Sequence, residues 1–274
     1  MSAARTLSMR DALYEAPGPK TRHRVRIGTA ISAVVVLLAI AAVIRQFWVT
    51  GQLAPRYWSL FLQWTTWRFL GQGLLGTVAV ALTAGAIALV LGLTLMLGRT
   101  SGVRPLAALC RVVTDFFRGV PSLLLIYFFF FVPAQLGLKM PSFWMLALPV
   151  ALAASGVLAE GFRAGESKSK GQVEAALSIG LSRAQTMRRV VLPQAVCYVI
   201  PSLIAQLVVV VKDTTVAYVV SFPDLMQNAR VLITSYDALV SMYLVIAVIY
   251  ILINYAINKA SVYVAHRTGV KIIR

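Results

Sequence analysis

The chain has 274 residues, of which 59% are hydrophobic and only 13% are charged, with a formal net charge of +17. Soluble domains are roughly 45–50% apolar and about 25% charged, so this composition excludes an ordinary soluble domain and a disordered chain. The basic residues lie at the ends of long apolar runs, which argues against a nucleic-acid binder. The two cysteines lie in or beside apolar runs and the two histidines in opposite terminal tails, so no disulfide framework or metal site is predicted.

Six stretches without a charged residue divide the chain. Each approaches or exceeds the ~20 residues that a helix needs to cross the hydrocarbon of a membrane. Backbone polar groups must be satisfied within each segment there, so we expect an all-α integral membrane protein with about six transmembrane helices. The first stretch could also belong to a signal peptide, but no A-x-A-like site follows it, so we interpret it as retained, in a helix over 27–49. The stretches are 27–44, 69–98, 119–138, 140–159, 190–211 and 238–258.

The distribution of Lys and Arg predicts the orientation of these helices. If the N-terminus is inside, 20 of the 26 Lys and Arg residues lie on the cytoplasmic side. This bias follows the positive-inside rule, so the tails 1–26 and 266–274 are expected in the cytoplasm. The net charge then reflects topology and contact with anionic lipid rather than a nucleic-acid partner.

Two segments on the outer side are predicted to be more than simple connections. Residues 50–68 hold three Trp and one Tyr, a composition typical of a segment lying at the level of the lipid headgroups. Residues 221–236 begin with Ser-Phe-Pro-Asp, a pattern typical of a helix start. We therefore expect a short outer helix after Ser221.

The basic segment 164–189 between the fourth and fifth helices is predicted to form two short helices at an angle. Glu174 opens a helix-favouring run, and Gly180 ends it. Ser182 followed by Gln185 is a capping-box pattern for the second helix, and Pro193 is tolerated in the first turn of the next membrane helix. Ala175 and Ala176 are small enough for close approach by another surface, and Leu181 would add apolar contact, while the resemblance described next implies that Glu174, Gly180 and Ser182 belong to the same contact surface.

Four motifs in order resemble the permeases of ATP-binding-cassette (ABC) importers over about residues 69–265. Glu174-Ala175-Ala176, Gly180 and Val190-x-Leu192-Pro193 resemble the EAA loop of this family, with Val190 in place of Ile. Three further segments resemble the polar amino acid branch, and the overall look is similar to glutamate-type permeases. They are 117–121, with Arg118, Gly119 and Pro121; 160–165, with Glu160 and Arg163; and 211–215, with Lys212, Asp213, Thr214 and Thr215.

The resemblance implies a bacterial cytoplasmic membrane protein that works in a complex. A second permease, a copy or preferably a homologue, would complete the path. A dimer of cytoplasmic ABC ATPases would bind ATP and magnesium and engage the EAA loop. An extracytoplasmic binding protein would deliver a polar amino acid, with glutamate the best guess. No cofactor is expected on this chain, which has no Walker A sequence.

Some residues allow two interpretations. Lys212 and Asp213 are candidates for the substrate path with Gln206, Thr214 and Thr215, but the pair follows an uncharged stretch and is better explained by a position at the outer interface. Gln206 in mid-stretch is better explained by helix packing. The charges Arg111, Asp115 and Arg118 follow helical spacing and are either a surface ladder or part of the inner end of the third helix.

Two other classes of function compete with this one. A membrane-embedded enzyme needs acids, bases or metal ligands at depth, and the six stretches contain none. An ATP-independent carrier or channel is the alternative function, but it would leave the segment 164–189 without a role. The sequence therefore predicts a transport subunit that is not itself an enzyme.

Overall fold

The computed structural model describes residues 18–167 and 170–267. Most of the two predicted cytoplasmic tails, 1–26 and 266–274, lies outside the described residues. The described residues are helical, with turns and short connections and without a strand. The chain divides into two compact units, residues 1–55 and 56–274, which are described separately.

The first unit contains helix α1, Pro19–Val49, with Pro19 in its first turn, where its missing N–H costs nothing. The helix has no buried residue. It is long and apolar enough to cross a membrane, as predicted for the first stretch.

The second unit is a helical bundle around α2, Trp64–Arg99, which packs most extensively on α5, Ser142–Ser167. Small residues allow this close approach, because a Cβ on Gly92 of α2 would lie only 2.9 Å from the Leu158 Cβ of α5. The remaining helices are α3 (Arg104–Gly119), α4 (Ser122–Gln135), α6 (Lys170–Ser178), α7 (Arg183–Thr186), α8 (Leu192–Asp213), α9 (Leu225–Tyr236) and α10 (Leu239–Arg267).

Among the described residues, five helical segments are long and apolar enough to span a membrane, and they match five of the six predicted stretches. They are Pro19–Val49, Trp64–Arg99, Ser142–Gly165, Leu203–Val220 and Leu239–Ala260. The fourth of these includes the 3₁₀ turn Thr214–Val220, so Lys212 and Asp213 lie inside a candidate span rather than beyond its end.

The predicted third stretch, 119–138, has a different form. It corresponds to α4, whose 14 residues extend about 21 Å, less than the ~30 Å of a hydrocarbon core. Helix α3 meets α4 at a bend of 100°. Val120 is extended because it precedes Pro121, which breaks the helix there. The pair therefore forms a broken or re-entrant apolar segment rather than one straight span.

The short outer helix predicted after Ser221 is α9, but its start lies three residues later. Ser221 has a φ of 52° and ends the preceding 3₁₀ turn. The N-cap is Asp224, whose Oδ1 accepts a hydrogen bond of 2.7 Å from the Gln227 N–H. A side-chain cap must lie next to the first helical residue, and Ser221 is too far away.

Helix α9 is fixed to the start of α2 through hydrogen bonds and glycine contacts. The Leu225 N–H donates to the Thr77 Oγ1 at 3.1 Å, and the Asn228 Nδ2 donates to the Phe69 carbonyl at 2.7 Å. A Cβ on Gly73 would lie 2.6 Å from the Asp224 carbonyl oxygen. Helix α2 therefore presents a glycine surface that the loop before α9 contacts through its backbone.

The aromatic segment that precedes α2 forms two 3₁₀ turns, Pro55–Tyr57 and Ser59–Leu62. The Ser241 Oγ of α10 donates a 2.9 Å hydrogen bond to the Tyr57 carbonyl and so anchors the segment. Trp64 remains 76% exposed, as a residue at a lipid headgroup level would be.

Candidate functional site

The loop between α5 and α8 contains the two predicted short helices. Helix α6 ends in a Schellman arrangement, in which the Gly180 N–H donates to the Leu177 carbonyl at 3.0 Å and the Leu181 N–H to the Ala176 carbonyl at 3.1 Å. Gly180 has a φ of +85°, which a residue with a Cβ rarely adopts. The glycine therefore sets the angle at which the chain leaves α6.

The capping box predicted for the second short helix is present with both of its hydrogen bonds. The Gln185 N–H donates to the Ser182 Oγ at 3.3 Å, and the Ser182 N–H donates to the Gln185 Oε1 at 2.9 Å. This local pairing fixes the start of α7 at Arg183, three residues after Gly180.

Helix α7 does not end before the next membrane helix. It continues through a π-helical turn, Met187–Val191, into α8. Pro193 at the start of α8 has no N–H to donate, and the backbone is widened in the turn before it. Helix α7, the π-helical turn and α8 therefore form one continuous helical segment.

Fewer of the predicted contact residues of this loop are exposed than the sequence pattern indicated. Glu174, Ala175 and Ser182 are exposed, but Ala176 is only 4% exposed and packs inside the chain. Ile179 is 79% exposed and adds apolar surface beside Gly180. Sequence reasoning could not separate Ala175 from Ala176, because the direction of each side chain depends on packing against distant residues.

A cavity of about 570 Å³ separates the loop from the end of α2. It is lined by Leu97 and Thr100 on one side and by Val173 and Thr186 on the other. The Thr186 Oγ1 is buried and has no hydrogen-bond partner in the part of the chain that the structure describes. The loop therefore has room to move toward α2.

Glu160 of α5 joins three helices at the same end of the bundle. Its carboxylate contacts the Arg99 Nη1 of α2 at 2.5 Å, the Arg163 Nε at 2.7 Å and the Arg118 Nη1 of α3 at 3.6 Å. The Arg99 and Glu160 side chains are only 17% and 19% exposed. Sequence reasoning did not single out Arg99, for which the signal is a single arginine ending the longest uncharged stretch.

Glu160→Gln is expected to lower the free energy of unfolding by about 2 kcal/mol, because it leaves the poorly exposed Arg99 guanidinium without its carboxylate. Asp115→Asn is the matched control. Asp115 is 3.9 Å from Arg118 and 56% exposed, so its loss should cost less than about 0.5 kcal/mol. Thermal denaturation of the purified chain in detergent measures both, and equal losses would contradict the central role of Glu160.

The candidate substrate-path residues do not form one cluster. Gln206 lines a small void of about 20 Å³ between α2, α5 and α8, as expected for a packing role. Lys212 is exposed, and Asp213 lies beside the Ser122 hydroxyl at the start of α4. The Thr214 and Thr215 hydroxyls donate to the carbonyls of Val211 and Lys212, at 2.9 and 2.6 Å. The break between α8 and its 3₁₀ turn thus brings Asp213 to the beginning of α4.

Asp224 is a buried acid that the sequence indicates only as part of a helix start. It is 0% exposed, and its Oδ2 has no hydrogen-bond partner among the described residues. Burial raises the pKa of this carboxyl from 3.8 to about 6, opposed by backbone N–H donors led by Gln227. The signal in the sequence is an acid directly after a proline between two apolar stretches.

The raised pKa of Asp224 predicts a pH-dependent stability. Between about pH 4 and pH 6 the folded chain keeps a proton that the unfolded chain releases, so stability falls as pH rises through this window. Asp224→Asn retains a capping oxygen and removes the titration. From about pH 4.5 to about pH 7.5, wild type should lose on the order of 2 kcal/mol relative to this variant. A constant difference in denaturation temperature across the window would contradict the prediction.

Comparisons with known proteins place these features in a family. Residues 88–270 match the family described as "Binding-protein-dependent transport system inner membrane component". The glutamate transport system permease protein GluD of Corynebacterium glutamicum is 32% identical over 213 residues, which cover 76% of this chain and 78% of GluD. The probable glutamine ABC transporter permease protein GlnP of Bacillus subtilis is 33% identical over 197 residues, covering 70% and 90%.

A solved structure described as an amino acid ABC transporter with histidines agrees with the fold. It superimposes with a TM-score of 0.69 at 27% identity and covers 73% of this chain and 94% of its own. The chain therefore belongs to the family of inner membrane components of binding-protein-dependent transport systems. It is an all-α integral membrane protein and an amino acid ABC importer permease, a transport subunit rather than an enzyme, and the resemblance drawn from its motifs is confirmed.

Proposed function

We propose that this permease admits a polar amino acid, with glutamate as the first candidate, and that a partner ATPase drives it through the surface formed by Glu174, Ala175, Leu181 and Ser182. The arrangement of Gly180 between two capped helices supports the coupling role. The similarity to permeases named for glutamate and glutamine supports the substrate class.

The proposed mechanism uses the continuity of the helices around the loop. Helix α7 runs through the π turn into α8, and α8 ends at Asp213, beside the start of α4. A pull on the loop by the ATPase would tilt α8 and change the distance between Asp213 and Ser122. Access to the path would then alternate as the ATPase dimer closes and opens.

The proposed mechanism requires a complex with several partner proteins. Two cytoplasmic ATPases, holding ATP and magnesium, would engage the loops of this chain and of a second, homologous permease. A binding protein on the outer side would deliver the amino acid. Both termini of the chain would lie in the cytoplasm of the bacterial cell, as the distribution of Lys and Arg predicts.

Reconstitution tests the proposal. The chain is purified with the proteins that accompany it in mild detergent, placed in vesicles with ATP inside, and supplied with binding protein and radiolabelled glutamate, glutamine or arginine. Accumulation of glutamate that requires ATP supports the full proposal. Accumulation of a different amino acid would identify that amino acid, instead of glutamate, as the substrate. Uptake without ATP or without an ATPase would overturn the proposed coupling.

A further inference from the structure

Helix α3 has three distinct faces. Cys110 and Thr114 are buried toward α2 and α5, where Gly98 and Gly156 leave room for them. Arg104, Arg111 and Arg118 follow one another at intervals of seven residues along a second, charged face, with Asp115 between the last two. The third face is apolar and uncovered by the described residues of the second unit. It consists of Leu109, Val112 and Phe116, which are 61%, 66% and 56% exposed.

The angle between α3 and α4 indicates where the apolar face of α3 lies relative to the membrane. Helix α3 meets α4 at 100°. If the apolar helix α4 enters the membrane along the membrane normal, the 100° bend places α3 close to the membrane plane. A helix in that position has its apolar face in the acyl boundary and its basic residues near the headgroups. The angular separation of the two exposed faces on α3 fits this arrangement.

The charges indicate the chemistry of the lipid. Arg104 and Arg111 are exposed, and neither forms an ion pair within the described residues. Each arginine close to an anionic leaflet strengthens attraction about fivefold. We propose that α3 is an interfacial helix, with Leu109, Val112 and Phe116 inserted into a leaflet containing anionic phospholipid and Arg104 and Arg111 at its phosphates.

This contact also reaches the transport machinery. Arg118 at the end of α3 contacts Glu160 of α5 at 3.6 Å, and α6 is the next helix along the chain after α5. Contact of α3 with the membrane therefore positions Arg118, which lies at one side of the Arg99–Glu160 cluster. The position of α3 does not depend on the substrate carried, so it is testable apart from the proposed function.

Spin labels test the position of α3. Single cysteines are introduced as Leu109→Cys, Val112→Cys or Arg111→Cys in a chain carrying Cys110→Ala and Cys197→Ala, and the labelled chain is placed in vesicles with and without phosphatidylglycerol. The spin labels at positions 109 and 112 are expected to collide with oxygen more often than they collide with a water-soluble nickel reagent. The ratio should correspond to a depth of about 5–10 Å in the bilayer. The label at 111 should meet nickel more often.

The outcomes separate lipid from other surroundings. Preferential nickel contact at 109 and 112 would place this face in water and overturn the proposal. Protection from both reagents would mean that a protein surface covers the face, which overturns it equally. Phosphatidylglycerol should deepen the label at 112, and Arg104→Gln with Arg111→Gln should abolish that deepening. The use of two apolar positions keeps the test valid if one variant does not fold, and the readings require neither ATPase nor substrate.

Discussion

Gly180→Ala lowers ATP-driven uptake about 5- to 30-fold. Gly180 has a φ of +85°, and a Cβ at this position would have no heavy atom of the described residues within 4 Å, so the penalty arises from the backbone conformation and not from a collision. A left-handed conformation costs an alanine about 1–2 kcal/mol. This free energy lowers the population of the present loop conformation by the same factor as the expected loss of uptake. The capped α7 would then present the exposed Ser182 in a different direction.

Two variants control this experiment. Gly171→Ala places the same methyl group in open space within α6 at an ordinary backbone conformation, so uptake should equal that of wild type. Gly180→Asn should retain more uptake than Gly180→Ala, because asparagine tolerates a positive φ. Uptake into vesicles and ATPase retention in detergent are measured together. Equal losses in Gly180→Ala and Gly180→Asn would indicate a side-chain clash with the partner instead.

Gly73→Ala or Gly76→Ala lowers the denaturation temperature by about 2 to 12 °C. A Cβ at these positions would lie 2.6 Å from the Asp224 carbonyl oxygen and 2.5 Å from the Pro223 carbonyl oxygen. Both obstacles are backbone atoms, so the loop before α9 must move as a unit. Overpacking of this kind costs about 1–3 kcal/mol, and each kcal/mol shifts denaturation by about 2–4 °C in a domain of this size.

The neighbouring Gly71 provides the matched control within the same turn of α2. Nothing lies within 4 Å of a Cβ at Gly71, so Gly71→Ala should leave the denaturation temperature unchanged. The hydrogen bond from Leu225 to Thr77 should weaken only in the first two variants. If all three alanine variants denature at the same temperature, α9 is not fixed to α2 by this contact.

The three glycines also show what sequence patterns omit. Gly71-x-Gly73-x-x-Gly76 formally matches a dinucleotide-binding pattern, but it lies inside helix α2 and does not follow a strand, so the match carries no such function. The different roles of these glycines depend on which of them faces Pro223 and Asp224, about 150 residues later. Helical spacing places Gly73 and Gly76 on one side of α2, but it cannot identify the backbone that packs there.

Several parts of the segment 164–189 were predictable because their causes are local. Gly180 ends α6 and the Ser182–Gln185 capping box begins α7, and each depends on hydrogen bonds between residues no more than five apart. The burial of Ala176 was not predictable, since it depends on the packing of α6 against the rest of the chain. The contacts of all these residues with an ATPase remain predictions.

The sequence by itself determined the class of structure: uncharged stretches of sufficient length require helices in a membrane, because their backbone polar groups have no other partner there. It also determined the motifs that resemble importer permeases. Only the tertiary structure decided that Glu160 joins Arg99 and Arg118, that α3 turns 100° into α4, and that Asp224 is buried. These features depend on side chains far apart in the sequence, whose meeting is set by how the helices pack and not by any local pattern.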